Sequence, residues 1–233
     1  MKVLGIDPGL GGALAVIETA PRLRCVDAVR TPTILEGAKR RPDVRWILHW
    51  ILEHAPARGF VERAQAMPAK GRHGKEGEEE WAGQGASSAF IYGRATGYVE
   101  ATTLCAGVRL HLVEAFVWKR DAGLILPKGS PRRSTSEVKE ASRQLAIETF
   151  PLDTFLFEKK SEHGRAEAAL IALHGWRTKL RGTDEAPAEE AKEVRELRAP
   201  EDRSSGCEAC GGDGCVHCQG TAAERQAYES AGG

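Results

Sequence analysis

No apolar run in this 233-residue chain approaches the roughly 20 residues needed to cross a bilayer, so a membrane-spanning protein is not expected. A strand-like pattern starts within two residues of Met1, so a cleavable leader is not expected and a cytoplasmic setting is. A charge excess is lacking too, since 33 basic residues balance 33 acidic ones. No internal repeat is present beyond two short cysteine pairs near the C-terminus. In a reducing compartment disulfides are disfavoured, and the six cysteines read as thiols or metal ligands.

The neutrality is uneven. Residues 116–143 carry Lys119, Arg120, Lys128, Arg132, Arg133, Lys139 and Arg143 against three acids, whereas 183–203 carry eight acids against four bases. The first segment suits a phosphate-bearing partner, although ordinary solvated faces account for the same charges. The hydrophobic content of 41% supports a packed core, and the length favours one domain with a small appendage.

"KVLGID", "GALAVIE" and "RCVDAVR" read as three short strands with tight connections, hence antiparallel. "PDVRWILHWILEHA" has helical spacing, with Pro42 suited to its first turn, and "GFVERA" and "VRLHLVEA" read as further strands. "GQGASSAFIYGRATGYVEATTL" is rich in small residues and is expected to be a helix packed closely on the sheet. Ser134 and Glu137 form a capping-box pattern opening an amphipathic helix, and "GRAEAALIALHGWRTKL" is a second strong helix ending near 180. The expected fold is α/β: a mixed sheet with helical cover, followed by a separate C-terminal unit. The expected divisions are a folded domain over 1–180, a charged linker over 181–205 with room for a short helix, a cysteine unit over 206–220 and a disordered tail over 221–233.

Three acids stand where chemistry could use them. Asp7 and Glu62 each end an apolar strand, where a carboxylate would face solvent, a polar group or a cation rather than the core. Glu167 precedes an apolar helical run, so its face points inward, and His163 lies four residues earlier on that face. Three hard oxygen donors and an imidazole make a site for Mg²⁺ or Mn²⁺. Taken singly, each has a plainer reading as a turn former or a surface pair.

"LGIDPGLGGALAVIE", "GFVERAQAMP", "AFIYGRATGYVEATTL", "LHLVEAFVWKRDAGL", "KEASRQLAIETFP" and "EHGRAEAALIALHG" occur in order and at suitable spacing. Together they resemble the RuvC family of Holliday-junction resolvases over about residues 1–180, its phage-type relatives above all. The resemblance implies a ribonuclease H-like fold, a mixed five-stranded sheet with helices on both faces. It also implies a homodimer and two divalent cations, Mg²⁺ or Mn²⁺, per active site. By motif Asp7, Glu62 and Glu167 take three of the four acidic positions. The remaining one departs from the pattern: bacterial members place an Asp where this chain has Gly164, and phage-type members often place one where it has His163. His163 is therefore expected as the fourth ligand, or as the group that orients or deprotonates the attacking water. The activity implied is hydrolysis of four-way junctions in recombination and repair, by symmetric cuts that leave 5′-phosphates. A bacterial cell or a phage-infected host would be its setting.

DNA contacts are expected from Lys119 first and Arg120 second, in "FVWKRDAGL", then from Lys128, Arg132 and Arg133 in "PKGSPRR". Lys70 and Arg72 belong to a Gly-rich loop after Glu62 that resembles the family's junction-probing element, and a solvated loop is the plainer reading. The acidic run at Glu76 and 78–80 reads as a helix N-terminus, and Trp118 as core. Cys207, Cys210, Cys215 and Cys218 form two C-x-x-C pairs suited to structural Zn²⁺. They resemble a fragment of the DnaJ-type cysteine-rich module, a unit for binding DNA or a partner. Cys25 and Cys105 are expected in the core.

Three rivals stand beside the resolvase. The chain is too short, and lacks the second phosphate loop, for a sugar-kinase or actin-like ATPase. A related nuclease acting on RNA–DNA hybrids or branched DNA fits the same fold. So does a non-catalytic junction-binding protein in which His163 marks a decayed site.

Overall fold

A computed structural model describes residues 1–64, 70–73, 79–82, 85–126, 129 and 133–180. The expected linker, cysteine unit and tail lie outside the described residues, as do Lys128 and Arg132.

Three apolar segments form β1 (Lys2–Asp7) and β2 (Ala13–Glu18), buried on both faces, and β3 (Arg24–Arg30), where buried and exposed positions mix. Both pairings among them are antiparallel. β4 (Thr33–Glu36) and β5 (Lys39–Pro42) make a separate two-stranded hairpin, and α1 (Val44–His54) follows it. β6 (Arg58–Glu62) then pairs parallel to β1. β7 (Lys70–His73) and β8 (Glu79–Ala82) form a second small hairpin before α2 (Ala86–Cys105). β9 (Arg109–Val113) adds parallel to β6, and α3 (Ala115–Asp121), α4 (Thr135–Thr149) and α5 (His163–Gly175) complete the chain to a π-helical turn at Trp176–Leu180. The main sheet has the order β3-β2-β1-β6-β9, which puts β1 at its centre. The expected mixed five-stranded sheet is present.

Strand alternation divides the core in two. Val3, Ala15, Ile17 and Phe60 pack under α3, α4 and α5. Leu4, Ile6, Leu14, Val16 and Val61 pack on the other face against Ile47, Trp50 and Ile51 of α1 and Val99 of α2. Helices therefore cover both faces, as expected. α5 is apolar nearly all round, as a helix buried on every side must be. It approaches β1 closely because Gly5 has no side chain: a Cβ there would overlap the Ala168 carbonyl oxygen. The capping box at Ser134 and Glu137 forms in both directions.

Several local expectations are corrected. Pro42 closes β5 rather than opening α1, whose N-cap is Asp43, accepting from the Trp46 N–H at 3.1 Å. A residue without an N–H suits the end of an edge strand as well as a helix start. Glu79 and Glu80 lie in β8, not at a helix N-terminus. The buried side of α2 is Ala95, Thr96, Val99, Thr102 and Thr103, while Gly93 and Gly97 face open space. Of the small residues of α2, Ala95 is therefore on the packed side, and the two glycines are not. Cys25 is buried as expected, but Cys105, at the end of α2, is exposed.

Candidate metal and phosphodiester site

Asp7 is the last residue of β1 and Glu62 the last of β6, parallel neighbours in register through Ile6 and Val61. With a side-chain period of two, Asp7 shares the face of Val3 and Gly5, and Glu62 that of Phe60. That face is the one α5 covers. Glu167, in the second turn of α5, is 8% exposed, acts electrostatically on Asp7, and shares the Lys119 ammonium with Glu62. The three carboxylates, 160 residues apart at their extremes, come together for this reason of parity.

The cluster carries an excess of negative charge. Burial, then the like charges of Glu167 and Glu62, push the Asp7 carboxyl well above the usual aspartate range, against the pull of Lys119 and Lys139. Lys119 on α3 places its Nζ 3.5 Å from Glu167 Oε2 and 3.7 Å from Glu62 Oε2. Burial disfavours that ammonium, but Glu167, Glu62 and Asp7 outweigh it and hold its pKa above the ordinary lysine value. Nζ also lies 5.0 Å from the centre of the Trp118 ring. Among the described residues no three His, Cys, Asp or Glu side chains are grouped as a metal site stands. The cation found between Glu62 and Glu167 is this lysine.

Neighbouring groups hold the carboxylates in place. The Trp118 indole N–H donates to Glu62 Oε2 at 2.7 Å, and the Ser142 hydroxyl donates to Glu167 Oε1 at 3.3 Å. Tyr92 of α2 lies against the turn after Asp7, where a Cβ on Gly9 would be 3.0 Å from its ring. Gly9 has φ +107°, so the chain leaves β1 in a conformation closed to most side chains. The Tyr92 phenol is pushed up to about 12 by burial and by the charges of Glu62 and Asp7.

Sequence reasoning missed these supports. Trp118 is fully buried, as core packing predicts, yet a buried indole needs an acceptor, and that requirement was the available signal. Lys139 was counted only as part of a basic segment. Nothing local marked Ser142 or Tyr92.

The other expected site residues are spread more widely. His163 opens α5, half-buried, and its described contact is between Nδ1 and the Lys160 carbonyl at 3.4 Å. The position aimed at Asp7 is the next one: a Cβ on Gly164 would lie 3.5 Å from Asp7 Oδ2. Arg120 is exposed and pairs with Asp121 at 3.1 Å. Arg133 is exposed, with Nη1 3.5 Å from the Leu124 carbonyl. Lys70 and Arg72 lie on β7, opposite Ala82 and Glu80 of β8. No helix among the described residues is long and apolar enough to cross a membrane.

No family model matches the sequence, and no curated protein does. Among solved structures, the chain is similar to Thermus thermophilus RuvC. To that protein in complex with a Holliday junction substrate the identity is 15%, over 77% of this chain and 97% of the other, with a TM-score of 0.48. To a second T. thermophilus RuvC structure the identity is 19%, over 76% and 96%, with a TM-score of 0.45.

Proposed function

We propose that this chain is a divalent-cation-dependent endonuclease that cuts branched DNA, four-way junctions above all, in recombination and repair. The observation that carries the reading is the convergence of Asp7, Glu62 and Glu167 at one end of the sheet, with the Lys119 ammonium between two of them. Hard oxygen donors in excess of their counter-charge fit Mg²⁺ or Mn²⁺. Asp7, Glu62, Glu167 and His163 would hold two such ions. When bound, the ions supply activation of a water and stabilisation of the leaving 3′-oxygen in an in-line attack on a phosphodiester.

The chain's own residues prepare that site. Asp7 stands on the central strand with Glu62 beside it and Glu167 above, the place for a shared ligand. Trp118 fixes one oxygen of Glu62 and Ser142 one of Glu167, which orients both carboxylates around the place Lys119 holds and a divalent cation would take. Lys119 and Lys139 bring positive potential to the place where a phosphate would arrive. Lys119 and Arg120 are the proposed phosphate contacts, with Lys70, Arg72, Lys128, Arg132 and Arg133 beyond them. Such contacts give salt-sensitive affinity without base specificity. A homodimer making paired cuts belongs to the reading, and Phe90 and Leu104, 68% and 57% exposed on α2, offer apolar surface for it. Structural Zn²⁺ at Cys207, Cys210, Cys215 and Cys218 is proposed from their spacing alone.

The test offers a four-way junction, a linear duplex and an RNA–DNA hybrid with Mg²⁺ or Mn²⁺, to the full chain and to Asp7→Asn. Paired symmetric nicks in the junction are expected, lost in the variant while binding persists. Cleavage of the hybrid alone would replace this reading with a ribonuclease. One observation favours a junction binder without cleavage: Gly164 puts no side chain at the position facing Asp7. Binding without cutting under either cation would establish that alternative.

A further inference from the structure

The β4–β5 hairpin has no counterpart in the sequence reading, and the main sheet does not include it. It starts from the end of the sheet that holds the acids. Asp7 pairs with Ala13, Ala13 pairs with Arg30, and the hairpin begins three residues later. The Thr31 N–H donates to the Gly12 carbonyl at 2.9 Å, tying this exit to the turn after Asp7. At the base, the Asp43 N–H donates to the Pro32 carbonyl at 2.8 Å. At the tip, Gly37 takes φ +61° as the first residue of a two-residue turn, with open space where a side chain would be.

The hairpin is basic. Its one acid, Glu36, is shared by Arg41 at 3.3 Å and by Arg94 of α2 at 3.9 Å. Lys39 and Arg40 beside the tip are exposed, as is Arg45 in the first turn of α1, and none has a described acidic partner. Register puts Lys39 opposite Glu36 and Arg40 opposite Leu35, so the two free cations stand on opposite faces of the ribbon. Like charges gathered on a small ribbon repel one another, so they do nothing for the stability of the fold. They form an exposed cationic element on a chain whose charges sum to zero only with this hairpin included. A guanidinium fork and an ammonium on a two-faced ribbon match phosphate oxygens along a nucleic-acid backbone.

We infer that the β4–β5 hairpin is a phosphate-gripping arm, in which Lys39 and Arg40 seize the nucleic-acid backbone beside the acid cluster. The inference rests on the reading under Proposed function and adds to it the element that seats the substrate. A nucleic acid is favoured over an anionic membrane because the hairpin leaves the sheet at the end where the phosphodiester chemistry is proposed.

The experiment measures binding of a fluorescent four-way junction by the full chain, in an Asp7→Asn background, from roughly 50 to 200 mM salt. Lys39→Gln with Arg40→Gln is expected to weaken binding about tenfold at the low end and to make the log–log salt slope shallower by about 1 to 2. Lys39→Arg with Arg40→Lys should restore both, which assigns the effect to charge rather than to the shape of the hairpin. If this charge-conserving pair also loses binding, the charge account is overturned. If the Gln pair binds with unchanged affinity and slope, the arm is refuted while the nuclease reading stands. If the parent protein binds no DNA at all, that reading falls and the arm with it. Unchanged DNA binding together with lost binding to phosphatidylserine vesicles would overturn the arm in favour of a membrane contact.

Discussion

Replacing Lys119 by Met tests the balance of charge at the centre of the site. Its Nζ lies 3.5 Å from Glu167 and 3.7 Å from Glu62, and its side chain is 23% exposed. At an effective dielectric constant of about 20 each contact is worth roughly 4–5 kcal/mol before desolvation is counted. Removing one partner of such a set strands the others, at about 3 kcal/mol where water still reaches the group. For a domain of this size that lowers the melting temperature by roughly 6–12 °C. The assay is thermal unfolding at neutral pH in a chelator, then with Mn²⁺. The deficit should shrink as pH falls, because the stranded carboxylates take up protons and no longer repel. Mn²⁺ should raise the melting temperature more in Lys119→Met than in the parent, since the carboxylates it needs are no longer shared with an ammonium. Equal melting of the two metal-free proteins, together with equal gains from Mn²⁺, would refute the idea that this lysine stands in for a cation.

Asp7→Asn should stabilise the metal-free protein near neutral pH. The parent's Asp7 has a raised folded pKa, so the native state binds more protons than the unfolded one, and stability falls as pH rises from the ordinary aspartate value through the raised one. Urea unfolding across that window should show the downward slope in the parent and its loss in the variant. Trp118→Phe keeps a buried aromatic ring but removes the donor to Glu62, so a loss of about 1–3 kcal/mol in chemical denaturation is expected, with a smaller Mn²⁺-induced thermal shift. Gly5→Ala should abolish folding into this arrangement, seen as lost near-ultraviolet dichroism, because the new Cβ would strike α5 backbone rather than a side chain able to move aside.

Much of the fold was legible because its signals are local. The pattern Val3, Leu4, Gly5, Ile6 already carries the two-faced burial of β1, and Ser134 and Glu137 are close enough to cap a helix without tertiary help. The β4–β5 hairpin was not legible. Only Ile34 and Leu35 are apolar in "TILE" and none of "KRR" is, so no alternating pattern marks the strands, and Gly37 alone announces the turn. The packing of α2 was legible in part. Small residues on a helix signal close approach without saying which of them make it, and here Ala95, Val99 and Thr103 are buried while Gly93 and Gly97 face open space.

The site divides along the same line. That Asp7 and Glu62 end strands, and that Glu167 faces inward, can be read from a few neighbouring residues each. Which group sits among them cannot, because the indole that holds Glu62 is 56 residues away and the ammonium one residue further. Local pattern places an acid on a face, and only the packing of α3 against α5 decides what neutralises it. The same distinction separates positions 163 and 164. Spacing put His163 on the face of Glu167, four residues apart being about 40° around the helix. The backbone of α5, however, directs Gly164 at Asp7. If a side chain there is what a second cation lacks, Gly164→Asp should increase the Mn²⁺-induced thermal shift while destabilising the metal-free protein, since a fourth carboxylate would join three that already repel. Titration of Mn²⁺ against both proteins, read by melting temperature, decides it. A variant with an unchanged metal response would show that position 164 does not face the bound ions, and would leave His163 as the group to examine.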